Sequence, residues 1–126
     1  MITVKLNDVV NSISAMRDLA TQPLRARAAF QTLRLLKEVE RAYGDYEEQR
    51  RNLVEKFAVR DENGELVIDE NNNCKIIPES IDEFNTQYQE LMNGEIEINC
   101  EPIGLDYLED ITFTPAQMAQ LEPFIE

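Results

Sequence analysis

Histidine and tryptophan are absent from this sequence of 126 residues, and cysteine and glycine are scarce, at two and four. Without histidine there is no Ser-His or Cys-His nucleophile pair and no zinc site of Cys/His type. Cys74 and Cys100 lie 26 positions apart with no second pair. They read as small buried hydrophobes, free thiols of a reducing cytoplasm, with a single disulfide as the alternative. Four glycines supply no Gly-rich loop to cradle phosphate. No stretch approaches the roughly 18 apolar residues that span a bilayer. Met1-Ile2-Thr3-Val4-Lys5-Leu6 lacks the charged start and long apolar run of a secretion signal. Neither a membrane segment nor a leader is expected. Basic residues almost vanish from the second half. Residues 61 to 126 hold one, Lys75, against 17 acids, whereas residues 1 to 60 hold 11 against 8. The halves are therefore +3 and −16, within a net charge of −13.

That division of charge is the most informative feature present. It points to a partner surface rather than to a reaction. At −13 the chain should repel DNA, RNA and anionic lipid, so direct nucleic-acid or membrane partners are not expected. The length suits one domain, 1–126, with a mildly basic helical part over 1–60 and a strongly acidic part over 61–126.

Val9, Val10, Ile13, Met16, Leu19 and Ala20 follow helical spacing, which predicts a helix over 8–21 with Asn7 as its N-cap. A second, much longer helix is predicted from Leu24 to about Val59. Its stripe is Phe30, Leu33, Leu36, Val39, Tyr43, Tyr46, Leu53 and Phe57, heptad-like from Val39 with Arg50 in one apolar slot. At 1.5 Å per residue it reaches roughly 50 Å, more than a small globule covers, so a coiled-coil partner or oligomer is implied. Two short strands, 65–69 and 74–77, flank a turn at Glu70-Asn71-Asn72-Asn73 and read as a β-hairpin. Ser80 with Glu83 forms a capping box for a helix to about Met92, striped by Ile81, Phe84, Tyr88 and Leu91. Glu95 to Glu101 alternates apolar and polar as a half-buried strand. Ile111–Phe113 reads as one more strand, and Thr114-Pro115 opens a last helix near 115–122, with Met118 and Leu121 inward. The fold expected is α+β and mainly helical: a long antiparallel helical pair with a β-hairpin at its tip, plus a small C-terminal β/α segment.

Candidate sites are few. Asp61-Glu62-Asn63-Gly64-Glu65 suggests a calcium loop, but from Asp61 the sixth position is Leu66 and the twelfth Asn72, and from Asp69 the sixth is Cys74. An EF-hand loop needs glycine and glutamate there, so a solvated turn is expected and no metal or other cofactor. Glu95, Glu97 and Glu101 share a strand face and repel one another unless solvated or met by a basic partner. Arg27, Arg34 and Arg41 are seven apart, with Lys37 beside them, and form a basic stripe on the long helix. Each set has a plain reading as solvated surface and a sharper one as an interface. In the sharper reading the basic helix receives acidic residues of this chain or of another copy.

The order of segments is itself suggestive: a short helix, a long charged helix ending in Glu55-Lys56-Phe57, then Asp61-Glu62-Asn63-Gly64-Glu65, Asp69-Glu70-Asn71-Asn72, a helix, Glu95-Ile96-Glu97-Ile98 and Ile111-Thr112-Phe113-Thr114-Pro115. Over nearly the whole chain it resembles a family of small tailed-bacteriophage or prophage proteins of unknown function. The resemblance implies a phage origin and brings no catalytic residues with it. The expectation is a non-enzymatic bacteriophage interaction protein, a virion structural or assembly component found in the virion or host cytoplasm. It would bind a phage structural protein, a host protein or itself. The alternative is a phage-encoded inhibitor of a host defence or nucleic-acid-binding protein, in which the carboxylates imitate a phosphate backbone.

Overall fold

The computed structural model describes residues 1–68, 70 and 74–126. It is a mainly helical α+β chain in the order β1 (Ile2–Lys5), α1 (Leu6–Ala20), α2 (Ala26–Phe57), α3 (Ile81–Asn93), β2 (Glu95–Ile98) and α4 (Pro115–Leu121). Its contacts group into two compact units, one of 1–44 with 93–126 and one of 45–92.

In the first unit β1 and β2 pair antiparallel, with Ile2 opposite Ile98, Thr3 opposite Glu97, Val4 opposite Ile96 and Lys5 opposite Glu95. Alternation sends Val4 and Ile98 inward and the polar residues outward. The opening residues, read above only for the lack of a leader, are thus a strand. Ile2-Thr3-Val4-Lys5 does alternate apolar and polar, at the four-residue minimum for that signal, but it was not read as a strand. The first helix begins at Leu6, with the Asp8 carboxylate accepting from the Lys5 backbone N–H at 3.1 Å, so Asn7 is not its cap. Leu6, Val9, Ile13, Ala15, Met16 and Leu19 are buried along it, whereas Ala20 is exposed.

The long helix is present, two residues shorter at each end than expected. Its buried side in this unit is Ala28, Thr32, Leu35, Val39 and Ala42. This corrects the expected stripe: Val39 is shared, but Phe30 is 61% and Leu33 46% exposed. Small side chains occupy the inner side, where Gln31 Nε2 reaches the Pro102 carbonyl at 2.7 Å. The expected stripe passed over Ala28, Leu35 and Ala42, all buried, and took Phe30 and Leu33 in their place.

The C-terminal segment closes on itself. Thr114 caps α4: its Oγ1 accepts from the Gln117 N–H at 3.2 Å, and Gln117 Oε1 accepts from the Thr114 N–H at 3.0 Å. That is the reciprocal capping box the sequence implies. Leu121 and Phe124 are fully buried and Met118 half-buried. The last residues return to Ile103, whose N–H donates to Phe124 O and whose carbonyl accepts from Glu126 N, each at 2.8 Å. Ile111–Phe113 is not a strand. The Ile111 N–H instead donates to Leu108 O at 3.1 Å, just past the turn of 3-10 helix over Leu105–Leu108.

In the second unit, the end of α2 and α3 run antiparallel. Tyr46 and Tyr88 share a hydroxyl hydrogen bond of 2.9 Å, and Phe57 meets Phe84 edge-on with ring centroids 6.1 Å apart. Leu53, Phe84, Tyr88 and Leu91 are half-buried and Ile81 is exposed, so this seam is shallower than the stripe suggests. Among the described residues, the expected strands 65–69 and 74–77 meet through an isolated bridge, Ile68 to Cys74, and the chain after α2 joins them. Three hydrogen bonds form a closed ring: Val59 N–H to Lys75 O (2.8 Å), Lys75 N–H to Val67 O (2.9 Å) and Val67 N–H to Val59 O (3.0 Å). The ring satisfies backbone groups that a two-strand hairpin leaves open. Asp69 and Asn71–Asn73, the expected turn and the second calcium register, lie outside the described residues.

Thr32 is 2% exposed and its hydroxyl has no hydrogen-bond partner among the described residues. A buried unsatisfied hydroxyl is destabilising, whereas valine has nearly the same shape without it. Thr32→Val is expected to stabilise the chain by about 1 kcal/mol, read as a raised midpoint in thermal unfolding. A lowered midpoint would mean the hydroxyl has a partner in solution.

Candidate functional site

The two residue sets singled out from the sequence occupy exposed surfaces of the first unit. Arg27, Arg34 and Arg41 are all exposed on α2, as is Lys37. Arg41 pairs with Glu38 at 2.7 Å, one turn back. Arg34 lies over the Phe30 ring, 5.9 Å from its centroid. At about 100° per residue, Ala28, Thr32, Leu35, Val39 and Ala42 fall in an arc of about 80°. Arg27, Phe30, Leu33, Arg34, Lys37 and Arg41 fall in a second arc centred about 160° away. This part of α2 therefore has a buried side and an opposite, outward side that mixes cations with two large apolar groups.

Glu95, Glu97 and Glu101 are also exposed, but only Glu95 and Glu97 lie on β2: the strand ends at Ile98 and not at Glu101, so the three do not share one strand face as expected. Glu95 sits opposite Lys5 in the sheet and Glu97 opposite Thr3, so cross-strand pairing relieves part of the repulsion expected of a wholly acidic face. Glu101 is 3.7 Å from the Met1 amine, both widely exposed, a contact worth little in water.

A surface that the sequence did not reveal lies at the C-terminal end of the same unit. Leu105, Pro115, Met118, Ala119 and Ile125 line an open apolar cleft of about 420 Å³, with Glu122 and Glu126 at its rim. Leu105 is 51% exposed. The cleft exists because the tail turns back onto Ile103, a parallel pairing with Ile125 that neither periodicity nor turn chemistry announces. Residues 93 to 126 carry eight acids and no lysine or arginine, so the segment that lines the cleft brings carboxylates and no cation to it.

Two broad clefts lie among the described residues of the second unit. One, of about 640 Å³, has Val54, Leu66, Ile76 and Phe84 on its floor and Arg50 and Arg51 beside Glu47 and Glu55. The other, of about 720 Å³, runs between Leu53 and Leu91 among polar side chains. The Asp61 turn is an ordinary capped turn: its Oδ1 accepts from the Asn63 and Glu65 N–H groups at 2.9 and 3.0 Å, and Gly64 takes a φ of 78° that favours glycine. Cys74 is half-buried and Cys100 buried, both as free thiols. Among the described residues no three carboxylates or thiols converge as metal ligands, and no helix is long and apolar enough to cross a membrane.

The fold thus defines a mainly helical α+β protein whose distinguishing surfaces are a basic-apolar helix face and an acidic-apolar cleft. The chain belongs to the family described as "Protein of unknown function (DUF1617)", whose model matches residues 1–116. No curated protein and no solved structure matches it.

Arg17 of α1 fixes the flank of α2, with its Nε 2.7 Å and Nη2 2.9 Å from the two Glu40 carboxylate oxygens. The hydrogen bond from Arg17, aided by its charge, holds Glu40 below the usual carboxylate value. A lowered folded value stabilises the protein above the ordinary carboxylate range, and the effect is lost as pH falls through the folded value. Because the Glu40 side chain is 39% exposed, solvent screening keeps the pair under about 1 kcal/mol. A double-mutant cycle of Arg17→Gln and Glu40→Gln is expected to show that coupling at neutral pH and none at pH well below the carboxylate range. Equal coupling at both would assign the contact to packing on Tyr43, whose ring centroid is 5.6 Å from the Arg17 guanidinium.

Proposed function

We propose that this chain is a non-enzymatic bacteriophage interaction protein, a virion structural or assembly component that docks through its long helix and its acidic half. The observation that carries this reading is the outward side of α2. A helix already anchored along one side has Phe30 and Leu33 on the other, at 61% and 46% exposure, among Arg27, Arg34 and Lys37. Large exposed apolar groups set among cations are typical of surfaces that bind other proteins. The one-sided charge of residues 61 to 126 supports docking from the other end, since such a field steers basic partners. The phage origin rests on the order of segments set out above.

The experiment is mass spectrometry of purified particles from a phage that encodes the chain, together with the yield of particles when its gene is interrupted. A virion component is expected in the particles at a fixed ratio to the major structural proteins. An assembly component is expected to be absent from them but needed for normal yield. A chain absent from particles, dispensable for yield and recovered bound to a host protein would overturn this reading in favour of an acidic inhibitor.

Replacing Glu95 and Glu97 of β2 together with Glu101 beyond its end by glutamine tests whether this acidic face takes part. If it docks, association with the partner slows and its salt dependence flattens, while the fold is retained. Equal association rates and salt slopes would leave this face as solvated surface, with docking confined to the helix and the cleft.

A further inference from the structure

The two apolar surfaces of the first unit are complementary. The outward side of α2 is apolar with a basic surround: Phe30 and Leu33 stand among Arg27, Arg34 and Lys37, all exposed. The C-terminal cleft is apolar with acidic residues about it: Leu105, Met118 and Ile125 line it with Glu122 and Glu126, and exposed Asp106 follows Leu105 in the chain. We propose that the cleft of one copy receives the Phe30–Leu33 face of the next, so that the chain assembles head to tail with itself.

The choice of a second copy over another partner follows from the match in both properties. Apolar anchors need an apolar floor, and the cations around them need carboxylates at its edge. This chain carries both halves on different surfaces. The net charge of −13 opposes association of identical copies, but charges separated by more than about 8 Å are largely screened at physiological salt. Local pairing of Arg27, Arg34 and Lys37 with Asp106, Glu122 and Glu126 lies within that range once the apolar surfaces touch. Because the two surfaces differ, the contact is heterologous, and each added copy leaves one helix face and one cleft open. It propagates into a ring or a filament rather than stopping at a symmetric pair. The inference rests on the docking reading above and names its partner.

Two variants test it. Phe30→Glu with Leu33→Glu spoils the helix face and leaves the cleft intact. Leu105→Lys with Ala119→Lys spoils the cleft and leaves the helix face intact. All four positions are exposed, so melting midpoints near that of the unaltered chain are expected. If the cleft variant unfolds, Glu122→Lys with Glu126→Lys replaces it, since those residues touch only the rim. Light scattering should give the unaltered chain a mass above twice the 14.6 kDa of one copy. Each variant alone should give a single copy. An equal mixture should give a twofold mass and no more, because one intact face meets one intact cleft and the remaining surfaces are blocked. If the mixture stays at one copy while the unaltered chain assembles, the head-to-tail contact is wrong. A unaltered chain of 14.6 kDa at every concentration overturns self-assembly. That result leaves the docking reading to be decided by the particle experiment, which does not depend on self-association.

Discussion

The long helix has to serve two surfaces at once, and the rest of the structure is arranged around that constraint. Ala28, Thr32, Leu35, Val39 and Ala42 commit one side of α2 to the core of the first unit. Burial of that side is what holds the helix, since its charged remainder supplies little apolar area of its own. Once that side is fixed, Phe30 and Leu33 have nowhere to go but outward. Arg17 reinforces the orientation from α1, bonding Glu40 through both carboxylate oxygens and lying over the Tyr43 ring. Rotating α2 to bury Phe30 would withdraw Leu35 and Val39, each fully buried now, and would break that pair.

Charge follows the same division. The cations of the first unit lie mostly on α2 and its approach, and the acids mostly after residue 93. Folding leaves several of each at the surface: Arg27, Arg34 and Lys37 on the helix, and Asp106, Glu122 and Glu126 near the cleft. Within one copy the described ion pairs are modest and exposed, and such pairs contribute little to stability. The proposed role of the segregated charges is therefore orientation. Phe30 and Leu33 would supply attraction without direction, and the charges would select which apolar surface they meet.

Much of this was legible in the sequence wherever a local rule applied. Thr114, Pro115 and Gln117 mark a helix start by their own hydrogen bonding, and the structure has that start. Alternation from Glu95 places Ile98 inward and it is buried, although the strand ends there and the chain turns at Cys100. Tyr46 and Tyr88 meet across antiparallel helices as their spacing implies. Three features were missed. The strand Ile2–Lys5 has the alternation of a strand, but at its minimum length and with no turn signal before the helix that follows at Leu6. The phase of α2 is set by Ala28, Thr32 and Leu35, which the expected stripe passed over in favour of Phe30 and Leu33. The ring joining Val59, Val67 and Lys75, and the pairing of Ile103 with Ile125, depend on contacts between distant segments that no single segment encodes. The cleft inherits that difficulty, since its lining comes from both sides of such a pairing. The expected inward set included Met118 and Leu121, but nothing in the spacing told which of them would face a solvent-filled groove.

Zero-length carbodiimide cross-linking of an equal mixture of isotopically light and heavy chain is the most direct measurement. The reagent joins an amine to a carboxylate only where the two touch, and Lys37 is the one lysine on the outward side of α2. Head-to-tail assembly should give peptides of mixed isotope that join Lys37 to Asp106, Glu122 or Glu126. Mixed-isotope links from Lys37 to other carboxylates only, or links confined to a single chain, would contradict it.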